Sequence, residues 1–303
     1  MSSSRSSSSK RKAAILTSGE DRLREFGYEF VNDKLVLAAD NTQAFAFVDQ
    51  AHYNKLCGFV TEVVEDKLVE LGLEKLPLGD SGESIVFVSP KLDEADNVVV
   101  LMHGSNNNAG LWSRKVIINE SLDLGSMLAY VEACLREKLG VVIPNHSTPF
   151  VTGGVKVDNA FTYMEHLWDT VLAPLPAQKF AFVAHSFGGA ATVHLLCARE
   201  HAALKRLVGL AFTDSVHNLT GARKCDQTKA FLKSSAACNW VRSTRPLDTP
   251  LRAKAGTKCV SAGHIVHENC SGAAFASVMT FLKQQFARRH VPLRAKKGGD
   301  SEE

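Results

Sequence analysis

The chain has 303 residues, is 45% hydrophobic, and sets 35 Lys and Arg against 32 Asp and Glu for a formal net charge of +3. That size and apolar content suffice for one large core and give no sign of a second, which excludes a mainly disordered chain and a two-core protein. Residues 1–12 carry +4 and residues 288–303 carry +2, so removing both from +3 leaves the middle at −3, without the basic, aromatic-studded face that direct nucleic-acid binding requires.

The first residues are rich in serine and carry Arg5, Lys10, Arg11 and Lys12 without an acid. Such a tract cannot bury a core, and residues 1–20 are expected to form a disordered tail. Lys10 to Lys12 is weak evidence for a nuclear-import signal, and a solvated tail is the preferred reading. Leu56, Val60, Val63, Val64, Leu68 and Leu71 are spaced for one buried face of a helix, read as packing material. Apolar runs then predict strands at about 84–88, 98–102, 140–144, 179–184, 206–213 and 258–262. They alternate with helical patterns at about 121–139, 158–172, 187–201, 225–237 and 271–287. This alternation predicts a single α/β domain over residues 21–287, with a mostly parallel sheet and helices on both faces. Residues 288–303 read as a flexible charged tail. The seven cysteines are an odd number with no Cys-x-x-Cys pair, no apolar run reaches membrane-spanning length, and neither a secretory leader nor a retention or lipidation signal is expected. A reducing compartment, cytoplasmic or nuclear, is expected, with free thiols.

Chemistry concentrates where apolar runs end. The run at 98–102 leads into His103 and Gly104, a loop able to bring a backbone N–H to a developing oxyanion. The run at 179–184 leads into His185, Ser186, Phe187, Gly188 and Gly189, then directly into a helix. A serine among small residues on a tight strand-to-helix turn is a nucleophile elbow, with Ala184 in place of the usual first glycine and Phe187 as the second oxyanion donor. A plain helix start with Ser186 as its N-cap is the structural alternative. Asp214 ends the next strand, and His267 follows the last one. The chain order Ser186, Asp214, His267 suits a serine hydrolase, with His267 as base and Asp214 as the acid that orients it.

Rivals exist for each role. Asp248 is an alternative acid, and His264 and His217 are alternative bases. Cys259, His264, His267 and Cys270 form a conceivable metal set, but their spacing matches no usual zinc pattern. No metal and no cofactor are expected. Trp112, Phe150 and Trp168 read as core aromatics with a pocket-lining role as the alternative.

Three stretches carry a resemblance to a known family: Leu101 to Gly104, Leu111 to Arg114, and Ile117 to Asp123. It continues through Phe182 to Gly189, Thr213 to Asn218, Cys238 to Val241, Pro246 to Thr249, Val260 to Gly263 and His267 with Glu268. These segments resemble the Arb-two domain, the argonaute-binding module of a silencing complex, which animal cotranscriptional regulators share. The resemblance runs from about residue 23 to 286 and implies an α/β-hydrolase fold. It also implies a role in small-RNA silencing, chromatin or splicing through a partner such as argonaute or a chromatin-associated protein. It implies no substrate beyond the small ester or acyl compound that Ser186, Asp214 and His267 suggest. His264, Ile265 and Val266 depart from the more polar family pattern.

Overall fold

The computed structural model describes residues 18–219 and 225–288. The basic serine-rich tract and the chain after Arg288 lie outside the described residues, as do the expectations attached to them. Helix α1 (Gly19–Glu25) begins inside the stretch read as tail, because Ser18 accepts from the Asp21 N–H and Asp21 reciprocates. Three short strands, β1 (Tyr28–Val31), β2 (Lys34–Leu37) and β3 (Asp40–Ala44), then make a small antiparallel sheet.

The large sheet uses β4 (Glu74–Leu78), β5 (Ser84–Val88), β6 (Asn97–Met102), β7 (Gly140–Pro144), β10 (Lys179–His185), β11 (Leu207–Thr213), β12 (Ala237–Val241), β13 (Pro250–Lys254) and β14 (Thr257–Ser261); β8 (Phe150–Thr152) and β9 (Val155–Val157) pair as a separate hairpin. The order across the large sheet is β13-β14-β12-β11-β10-β6-β7-β5-β4. The six strands from β14 to β7 are parallel, and antiparallel pairing is confined to the two edges. The mostly parallel α/β class expected from the sequence is the class observed.

The remaining helices, in chain order, are α2 (Gln50–Glu70), α3 (Arg114–Asn119), α4 (Leu122–Gly125), α5 (Leu128–Arg136), α6 (Ala160–Leu167), α7 (Phe187–Ala198), α8 (Glu200–Leu204), α9 (Asp226–Lys233), α10 (Cys270–Ala273) and α11 (Phe275–Ala287). Two-residue periodicity sends alternate strand residues to the two faces of the sheet. Val99, Leu101, Ala181 and Val183 pack with Leu56 and Val60 of α2, Ile117 of α3, Val131 of α5 and Leu282 of α11. Val98, Val100, Phe180 and Phe182 pack on the other face with Met164 of α6, Leu195 of α7 and Leu232 of α9. Trp112, Phe150 and Trp168 are core residues.

Several boundaries differ from expectation. The helix expected to run to residue 237 stops at Lys233, and Ala237–Val241 is a buried central strand. Asn239 interrupts its apolar pattern; its carboxamide Oδ1 accepts from the Ser215 N–H at 3.2 Å, while its Nδ2 is buried with no partner among the described residues. The helix expected over 121–139 divides into α4 and α5 around Gly125, whose carbonyl accepts from the N–H groups of Trp112 and Ser113.

Candidate active site

The strand order reverses direction at β6, whose chain successor β7 lies on one side and β10 on the other. Ligand crevices of open α/β sheets lie at such a point, beyond the carboxyl ends of the strands. The loops that leave β6 and β10 carry His103–Gly104 and Ser186. A Cβ built on Gly104 would lie 3.1 Å from Ser186 Cβ, so the two loops are in close contact.

Ser186 has φ 51° and ψ −119°, a conformation that costs an L-residue on the order of 1–3 kcal/mol. Three backbone hydrogen bonds hold it: its N–H donates to Thr213 O (3.1 Å), and its carbonyl accepts from Val216 (3.1 Å) and Gly189 (3.2 Å). Ser186 stands at the N-cap position of α7, but its hydroxyl makes no capping hydrogen bond. Gly188 is required, because a Cβ there would overlap the His103 carbonyl, and one on Gly189 would overlap Ser215 Oγ. Phe187 is the first residue of α7, where backbone N–H groups have no partner within the helix.

Asp214 leaves β11 with φ 46°, its N–H bound to Trp240 O at 2.7 Å. His267 reaches it from the far end of the sheet, Nδ1 to Asp214 Oδ2 at 2.6 Å. Burial opposes ionisation of Asp214, but the hydrogen bond and charge of His267, aided by Arg242, outweigh burial and hold its pKa below the usual carboxylate value. Arg242 Nε stands 3.6 Å from the same oxygen. The His267 ring also lies against His185, with centroids 4.7 Å apart. Among the described residues, Ser186 Oγ makes no hydrogen bond to His267.

The rivals are engaged elsewhere. Asp248 accepts from Trp240 Nε1 (2.9 Å) and Ser277 Oγ (2.6 Å), tying β12 to α11. His217 is buried between Ser215 Oγ (2.8 Å) and Thr257 Oγ1 (3.1 Å). His264 Nδ1 accepts from the Val266 N–H at 3.1 Å. Among the described residues, no three His, Cys, Asp or Glu side chains gather as a metal site.

Two features escaped the sequence reading. His146, just beyond β7, stacks on His103 with centroids 3.8 Å apart. Both rings are buried, and burial pushes the His103 pKa down to about 4 and that of His146 well below its ordinary value. A histidine following a strand end was the available signal. The second feature is a hydrogen bond from Asn269 Nδ2 to Glu120 Oε2 at 2.6 Å, which joins segments far apart in the chain.

The family model described as the Arb2 domain matches residues 20–161 and 154–247. The chain belongs to the Arb2 domain family. This Arb2 domain is 27% identical to the cotranscriptional regulator ARB2A homolog of Dictyostelium discoideum, covering 86% of this chain and 79% of that protein. It is 26% identical to cotranscriptional regulator ARB2A of Homo sapiens, covering 78% and 72%. Among solved structures, the histone deacetylase Clr3 aligns with a TM-score of 0.52 at 14% identity, over 80% of this chain and 40% of that one. This Arb2 domain thus spans about two fifths of the Clr3 chain. An esterase of Pyrococcus furiosus, Pf2001, aligns with a TM-score of 0.42 at 14% identity, over 72% and 95%. The likeness to Clr3 is one of fold, a mostly parallel α/β sheet with helices packed on both faces.

Proposed function

We propose that this Arb2 domain is a serine hydrolase of ester or other acyl bonds. The observation that carries the reading is the 2.6 Å bond from His267 Nδ1 to Asp214, at the same sheet end as a serine held at φ 51°. In this reading Ser186 Oγ attacks the acyl carbonyl carbon as its proton passes to His267 Nε2. Asp214 holds the Nδ1–H tautomer and stabilises the imidazolium. The backbone N–H of Phe187 and the loop at His103 and Gly104 receive the carbonyl oxygen as it becomes an oxyanion. His267 then returns the proton to the leaving group, leaving an acyl-Ser186 ester. A water attacks that ester, and its proton returns to Ser186 through His267. The Ser186–His267 bond must form as substrate binds, as catalytic contacts in empty sites often do.

A second reading is favoured by the names of the relatives, which are cotranscriptional regulators. On this reading the domain works in the nucleus as a scaffold for argonaute, chromatin or splicing proteins, since a fold does not fix a function. One pair of proteins tests both. Wild type should react covalently with a fluorophosphonate probe, and Ser186→Ala should not. Well-folded wild type that stays unlabelled refutes the hydrolase. Each protein recovered from cells should bring down the same argonaute or chromatin partners if the scaffold reading holds; recovery of none from either refutes it.

A further inference from the structure

His267 is carried by a single 3-10 turn, His267–Asn269, which runs straight into the four-residue helix α10. So short a turn has few backbone bonds of its own, so the direction of the imidazole is set by what grips the turn. The grip comes from the segment spanning α3 and α4. Asn269 is fully buried, and its Nδ2 donates to Glu120 Oε2 at 2.6 Å, while its Oδ1 has no partner among the described residues. Next to it, Glu268 Oε1 meets Lys115 Nζ of α3 at 3.6 Å. One turn further on, a Cβ added to Gly272 of α10 would overlap the Leu124 carbonyl of α4, so the two helices touch backbone to backbone.

Glu120 is itself well anchored. Its N–H donates to Val116 O at 2.8 Å, and the N–H groups of Leu122 and Asp123 donate to Asp33 O and Asp33 Oδ1, both at 2.9 Å. Asp33 sits between β1 and β2 with φ 72°, so the small N-terminal sheet braces the segment that braces His267.

We propose that Glu120 is a positioning residue for His267, acting through the buried carboxamide of Asn269. This rests on the reading of Ser186, Asp214 and His267 as a triad. The Glu120 bond is the one side-chain hydrogen bond of the Asn269 carboxamide among the described residues. Removing its partner leaves a buried amide unsatisfied and free to turn. A shift of about 1 Å in a catalytic group can cost on the order of 100-fold in rate.

Two measurements on the full chain test it: the rate of fluorophosphonate labelling at Ser186, and the downfield proton resonance of His267 Nδ1–H. Glu120→Ala should label at least roughly tenfold more slowly and lose or broaden the resonance. Glu120→Gln keeps an acceptor for Asn269 Nδ2 and should restore both, an outcome a general loss of stability would not produce. If Glu120→Ala does not fold, Asn269→Asp, which sets a carboxyl group against Glu120, should show the same two losses. Wild-type rate and resonance in a folded Glu120→Ala or Asn269→Asp overturn the proposal, as does a Glu120→Gln that behaves like Glu120→Ala. An unlabelled wild type refutes the hydrolase reading instead, and the resonance then decides the positioning role by itself.

Discussion

At Ser186 the backbone is strained, and the strain belongs to the turn rather than to the hydroxyl. Alanine at this position would retain the φ of 51°, whereas glycine adopts it without penalty. Ser186→Gly should therefore be more stable than Ser186→Ala by about 1 kcal/mol, or roughly 2–4 °C in Tm for a domain of this size. Both variants should be unreactive toward the probe. Thermal melts of the two side by side check this, and equal Tm values would mean that the turn stores no strain. Asp214, at φ 46°, is the other candidate residue of the trio held in the left-handed region, so two of the three are held where the surrounding structure, not local preference, sets the backbone.

Among the elements, the junction of β10 with α7 depends on contact without side chains. Gly188 lies against the His103 carbonyl, so any Cβ must drive α7 away from the loop after β6. Gly188→Ala should lower stability by about 1–3 kcal/mol and slow labelling, because the Phe187 N–H moves with the helix. Urea denaturation and the labelling rate measure the two effects, and a variant unaffected in both would show that the junction has slack. The central strands β6 and β10 were legible in the sequence because strands buried on both faces are continuous apolar runs. β12 was not legible because Asn239 breaks the run, and its partner, the Ser215 N–H, comes from another strand end. The turn around Ser186 was legible from its small residues and abrupt strand-to-helix change. The grip on His267 was not, because Glu120 and Asn269 are 149 residues apart and side-chain pairs at that separation leave no periodic trace.

For the whole molecule, buried neutral histidines set the response to acid. Burial lowers the pKa of His103, His185 and His217 to about 4, and of His146 well below its ordinary value. In the unfolded chain each takes up a proton near pH 6.5. Their contribution to stability is thus complete above about pH 6.5 and is lost as pH falls toward about 4. Each should add about 1.4 kcal/mol per pH unit to the slope within that window. Urea midpoints at pH 7, 6 and 5 should fall steeply, and His217→Asn should make the fall shallower. A flat profile from pH 7 to 5 would contradict the assignment of these rings as neutral.

The two outer strands of the large sheet bear on how copies of this chain meet one another. β4 presents exposed Glu74 and Lys75 together with Pro77, and β13 begins at Pro250, carries exposed Arg252 and Lys254, and changes register between Leu251 and Lys254. An incoming strand would find a proline without a donor and charged side chains at either border, and a register shift at β13. Templated growth of the sheet into fibres is therefore disfavoured at both ends, so the apolar parallel strands lie between two borders that are poor templates for another chain.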